Sequence, residues 1–152
     1  MAEESGKERV DRELLELLNE LRVALPGVQV LFAFLLTVPF AARWTTVTTF
    51  QRDVYFVTLL LTALSSALLI APSAQHRLLF RQREKEKLLI SANRLTMFGL
   101  AFLALAIIGV VLLITDVLFG ATMTLVVTIA SALPFLIWWY AYPLARRRAA
   151  AS

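Results

Sequence analysis

Four predominantly apolar runs constrain this chain more than any other feature. They are PGVQVLFAFLLTVPFAARW (26–44), VYFVTLLLTALSSALLIAP (54–72), LTMFGLAFLALAIIGVVLLITDVL (95–118) and ATMTLVVTIASALPFLIWWYAYPL (121–144). Each has the roughly 17–25 residues that carry an α-helix across a hydrocarbon core of about 30 Å. A soluble domain is usually about 45–50% apolar. This chain is 59% hydrophobic over 152 residues, and one soluble core of that size has no room for the excess. The expected fold is all-α: a transmembrane four-helix bundle preceded by an N-terminal amphipathic interfacial helix, with a cytosolic helical extension between spans two and three.

The boundaries follow from local chemistry. Residues 1–25 are polar and charged, without an apolar stretch and small-residue cleavage site, so no cleavable signal peptide is expected. Within them Val10, Leu14, Leu17, Leu18, Leu21 and Leu25 fall in an arc of about 100° at 3.6 residues per turn. Lys7–Asp11, Glu8–Arg12, Arg9–Glu13 and Arg12–Glu16 are opposite-charge pairs at i,i+4. The segment 9–25 therefore reads as an amphipathic helix lying on the membrane surface or docked on the 76–94 segment. Pro26 suits a helix start, Pro39 a kink, and Pro72-Ser73 a break followed by a new N-cap. Phe119-Gly120 is a tight turn that makes spans three and four an antiparallel hairpin. Residues 26–145 form the membrane domain and 146–152 a basic tail.

Charge gives the topology. Lys7, Arg9, Arg12 and Arg22 precede span one, and Arg43 and Arg52 separate spans one and two. Arg77, Arg81, Arg83, Lys85, Lys87 and Arg94 lie between spans two and three, and Arg146, Arg147 and Arg148 follow span four. Thirteen of the 15 basic residues thus fall on one side. The positive-inside rule makes that side, with both termini, cytoplasmic. Trp44, Tyr55 and Phe56 would mark the outer interface, and Trp138, Trp139, Tyr140 and Tyr142 the inner one. The basic run HRLLFRQREKEK (76–87) is then an orientation signal that also meets anionic lipid headgroups. It matches no base-reading motif, so no nucleic acid partner is expected.

Few residues carry chemistry. With no cysteine, disulfides, thiolate metal sites and thiol nucleophiles are excluded. The single histidine, His76, has no ligand-spaced acids beside it. No Ser/His/Asp set, Walker loop, GxGxxG or HExxH is present. No enzymatic activity, cofactor or metal is expected. The span centres hold no ionisable residue; Asp116 stands near the outer end of span three, within reach of a bridge to Arg43 or Arg52. Two hydroxyl stripes stand out: Thr58, Thr62, Ser65 and Ser66, on the face begun by Tyr55, and Thr124, Thr128 and Ser131 in span four. Such residues let helices approach closely and hydrogen-bond, as do Gly99, Ala106 and Gly109; they also suit a hydrated path. Asn19, Glu20, Arg22, Gln29, His76, Arg77, Arg81 and Arg94 form a candidate inner polar cluster that ties the amphipathic helix to the 76–94 segment.

Four stretches carry a resemblance: NELRVALPGVQVLFAFLLTVPF (19–40), FQRDVY (50–55), APSAQHRLLFR (71–81) and ANR (92–94). Over about residues 12–145 the chain resembles a family of small four-span bacterial membrane proteins, common in actinobacteria. That family is a domain of unknown function, and some members carry a sodium:proton antiporter label. The resemblance implies a multi-pass protein of the bacterial cytoplasmic membrane. It brings no active site to carry over. Two roles remain open. One is a non-enzymatic accessory or regulatory subunit, partnered by itself as a homo-oligomer or by another membrane protein. The other is a small oligomeric transporter or channel. Dry, close-packed hydroxyl stripes favour the first; a continuous water path along them favours the second.

Overall fold

The computed structural model describes residues 6–78 and 85–149, and they are helical with short links. The part of the basic run at 79–84, with Arg81 and Arg83, lies outside the described residues. The helices are α1 (Gly6–Thr37), α2 (Thr49–Leu78), α3 (Lys85–Leu118), α4 (Ala121–Pro134) and α5 (Tyr142–Ala149). Short 3₁₀ turns at Val38–Phe40 and Ala42–Thr46 join α1 to α2, and a π-helical segment, Phe135–Ala141, joins α4 to α5. Four stretches of 26 to 33 residues are long and apolar enough to cross a membrane. At 1.5 Å per residue even the shortest exceeds a hydrocarbon core of about 30 Å. This agrees with a multi-pass membrane protein.

The helices are longer than the expected spans, and the differences have physical reasons. The amphipathic segment and the first span are one helix, α1, which runs through Pro26. Its buried residues Leu14, Leu17, Leu21, Val28 and Leu35 continue the leucine stripe without a change of phase. Pro26 is exposed, away from that seam. A Cβ added at Gly27 would meet nothing within 4 Å. A proline on an open face lets the helix continue, because the carbonyl it leaves unpaired is not sealed in the core. α1 ends at Thr37, whose hydroxyl donates to the Phe34 carbonyl at 2.7 Å. Pro39 therefore terminates the α-helix instead of kinking it. α2 also passes through the expected break at Pro72, to Leu78, although Pro72 is buried.

α2 begins with a capping box. The Thr48 hydroxyl accepts the Gln51 N–H at 3.2 Å, and the Gln51 side-chain carbonyl accepts the Thr48 N–H at 3.0 Å. Two otherwise orphan donors are satisfied reciprocally. Downstream, α2 buries Tyr55, Thr58, Thr62, Ser65, Leu69 and Pro72. Steps of three and four residues define a narrow seam of the kind that packs lengthwise on a neighbouring helix.

The chain forms two compact units. The first comprises Met1–Pro39 with Leu59–Leu103. Its core joins Leu17, Leu21 and Val28 of α1 to Leu69 of α2 and Ala92 of α3. The N-terminal leucine stripe thus packs on protein helices. Burying a leucine such as Leu21, 1% exposed, stabilises by about 2 kcal/mol in transfer terms. The second unit comprises Phe40–Thr58 with Ala104–Ser152. In it Gly120 caps α4 and its carbonyl accepts the Thr124 N–H at 3.2 Å. Leu112 and Asp116 of α3 share a cleft with Thr124, Leu125 and Thr128 of α4, as an antiparallel hairpin requires.

Candidate functional site

The α2 hydroxyl stripe is closed. Thr58, Thr62 and Ser65 are each at most 1% exposed, and Ser66 is half-buried. In the first unit, Ser65 Oγ donates to the Gly99 carbonyl of α3 at 2.7 Å. A Cβ at Gly99 would come within 2.8 Å of the Leu69 side chain, which would have to shift to admit it. Ser66 Oγ donates within its own helix to Thr62 O at 2.9 Å. In the second unit, Thr58 Oγ1 donates to Val54 O at 2.7 Å and presses on Gly109, where a Cβ would collide with it. Gly99 and Gly109 of α3 thus receive Ser65 and Thr58 of α2, and the hydroxyls of Thr58, Ser65 and Ser66 find carbonyl partners.

The span-four stripe is more open. Thr124 is buried and Thr128 and Ser131 are half-buried. Ser131 Oγ donates to Thr128 O at 2.8 Å, and Thr124 Oγ1 to Gly120 O at 3.3 Å. Thr128 Oγ1 is buried and finds no hydrogen-bond partner. The rest of α4 is largely exposed, including Leu125, Val126, Ile129 and Leu133.

Asp116 is held by a residue that sequence reasoning passed over. Gln51 Nε2 donates to Asp116 Oδ2 at 2.9 Å. The same amide closes the capping box with Thr48, so its orientation is fixed by two partners. The expected bridge to Arg52 is not formed; Arg52 is exposed, and the Arg43 side chain lies outside the described residues. The local signal was legible as TTFQ (48–51), a Thr-x-x-Gln capping box. Its partner 65 residues away was not.

The inner polar cluster is spread over three helices. Asn19, Glu20, Arg22 and Gln29 are exposed on α1, Arg77 is exposed on α2 beside half-buried His76, and Arg94 is exposed on α3. Arg81 lies outside the described residues. Glu20 lines one cleft with Glu13, Glu16, Leu17, Leu89 and Asn93. Arg94 lines another with Ser91, Leu95 and Phe98, and Ile90 borders both. Glu13 and Glu16 take Arg9 and Arg12 as partners at 3.6 and 3.3 Å. These are exposed i,i+4 pairs of small energetic weight.

The aromatic residues divide differently from expectation. Tyr55 is 6% exposed and stacks edge-on to Trp44, with ring centroids 4.8 Å apart. It is a packing residue, whereas Phe56 faces outward. Trp138, Trp139 and Tyr142 are exposed. Tyr142 lies beside Trp138, and the Arg146 guanidinium stands 5.9 Å from the Tyr142 ring centroid, within cation–π range. Among the described residues, no three His, Cys, Asp or Glu side chains gather as metal ligands would.

Comparison with curated proteins and with solved structures finds no match. A family match runs from residue 3 to residue 143, nearly the whole chain. The chain belongs to the family of unknown function DUF6328.

Proposed function

We propose that this chain is a non-enzymatic interaction protein of the bacterial cytoplasmic membrane, an accessory or regulatory subunit. The closed α2 stripe carries this reading: hydroxyls that would line a path are instead packed on Gly99 and Gly109 of α3. Four helices traverse the bilayer with both termini in the cytoplasm, an orientation supported by the thirteen basic residues of the N-terminal segment, the 76–94 segment and the tail. The polar first 25 residues and the basic tail stand on that side, and the membrane domain spans 26–145. Its partners are anionic lipid headgroups, met by the basic segments and Arg146, and either further copies of the chain or another membrane protein. The exposed apolar face of α4 offers the surface for that protein contact.

One observation favours a second role, a small oligomeric transporter or channel for ions or small molecules, including cation/proton antiport. Thr128 of the span-four stripe keeps an unpartnered hydroxyl beside the cleft that holds Asp116.

Native mass spectrometry of the protein released gently from its own membrane separates the two. A stoichiometric second protein is the result expected for an accessory subunit. A homo-oligomer alone that supports ion or solute flux in liposomes would overturn that role.

A further inference from the structure

We propose that the N-terminal part of α3 holds one anionic phospholipid, its phosphodiester on Arg94 and an acyl chain along Leu95 and Phe98. The sequence of α3 sets the depth of Arg94. Residues 95–115 carry no charged side chain, and Arg94 and Asp116 bracket them. At 1.5 Å per residue the distance between the two along the helix is about 33 Å, close to a hydrocarbon core of about 30 Å. Arg94 therefore stands at the level of the lipid phosphates, on the side that the basic residues mark as cytoplasmic. A long side chain on a helix leans toward the helix N-terminus, which here takes the guanidinium away from the hydrocarbon.

Arg94 lines a cleft of about 400 Å³ with Ile90, Ser91, Leu95 and Phe98. Spaced as i, i+1, i+4, i+5 and i+8, these residues share one face of α3. Arg94, Ile90 and Phe98 are exposed, and Ser91 and Leu95 are half-buried. Arg94 and Ser91 are the polar members of the face, and Leu95 and Phe98 continue it toward the hydrocarbon. A charged group above an apolar track is the order of groups in a phospholipid. The guanidinium is a planar fork of donors that matches two phosphate oxygens, and a serine hydroxyl donates one more bond. A free phosphate would leave Leu95 and Phe98 uncovered, so the apolar track commits the site to a lipid. Beyond Ile90 the neighbouring cleft is lined by Glu13, Glu16 and Glu20, which repel a second anionic headgroup. The site rests on the membrane-spanning reading and is independent of the accessory role.

The full-length protein in detergent micelles is titrated with phosphatidylglycerol and, in parallel, with phosphatidylcholine, and bound lipids are counted by native mass spectrometry. The first phosphatidylglycerol should bind about five- to tenfold more tightly than phosphatidylcholine. Arg94→Gln should remove that preference with helix content unchanged by circular dichroism. Arg94→Lys should keep part of it, because the charge remains and the planar fork is lost. Arg52→Gln, on the opposite side of the bilayer, should leave it intact. The proposal is overturned if the two lipids bind alike, or if Arg94→Gln binds phosphatidylglycerol like the wild type. It is overturned too if Arg146→Gln removes the preference as fully as Arg94→Gln. Saturable, Arg94-dependent binding of glycerol 3-phosphate in lipid-free micelles would make this a site for free phosphate esters and overturn the lipid. Extraction of the protein from membranes by alkaline carbonate would overturn the membrane-spanning reading and the site with it. A carbonate-resistant protein without the lipid preference overturns the site alone.

Discussion

Gln51 joins two parts of the chain with one amide: its carbonyl accepts the Thr48 N–H at 3.0 Å and its Nε2 donates to Asp116 Oδ2 at 2.9 Å. The cap of α2 and the carboxylate of α3 are therefore coupled. Gln51→Leu should lose both. A partly buried hydrogen bond to a charged acceptor contributes about 1.5–3 kcal/mol and a cap about 1 kcal/mol. A double-mutant cycle of Gln51→Leu with Asp116→Ala, read by denaturant unfolding in detergent, should give a coupling of about 1.5–3 kcal/mol. A coupling near zero would mean the contact adds nothing to stability.

Gly109 and Thr58 test the close approach of α2 and α3. Gly109→Ala places a methyl group against the Thr58 hydroxyl. Overpacking of this kind costs about 1–3 kcal/mol, more than alanine's helix propensity of about 1 kcal/mol returns. Adding Thr58→Ala should recover part of the loss, because it removes the atom struck. If Gly109→Ala were neutral in thermal unfolding, α2 and α3 would not meet there.

Leu21 tests the N-terminal half of α1. It is 1% exposed in the core with Leu17, Leu69 and Ala92, so Leu21→Ala should destabilise by about 2–5 kcal/mol. Leu17→Glu with Leu21→Glu should go further and release the segment. Hydrogen exchange reads this directly: amides of residues 10–25 should lose protection in the double variant. Unchanged exchange would mean that the leucine stripe holds nothing in place.

Much of this fold was legible, and the failures share a cause. The four spans follow from hydropathy, because a bilayer leaves few alternatives to helices. The buried face of α2 followed from its hydroxyl spacing at helical period, and the turn at Phe119-Gly120 from its brevity. Prolines misled. Pro26 and Pro72 were read as boundaries, but Pro26 faces outward and Pro72 lies inside a continuous helix. Only the phase of Leu14, Leu17, Leu21, Val28 and Leu35 across Pro26 could have shown that α1 is single. Asp116 was singled out, yet its partner was sought among cations. Local sequence identifies Gln51 as a cap, and nothing in it says which distant carboxylate the other half of the amide meets.

The central claim is that the α2 hydroxyl stripe is a dry packing seam. The chain has no cysteine, so single substitutions report without background. Thr62→Cys and Ser65→Cys, in native membranes, would be exposed to a charged, water-soluble methanethiosulfonate. Gly120→Cys in the open α3–α4 turn serves as the positive control. The seam predicts labelling of Gly120→Cys and none of Thr62→Cys or Ser65→Cys. Labelling of the two stripe positions as fast as the turn would reveal water along α2, contradict the packed seam and make a conducting path the better account.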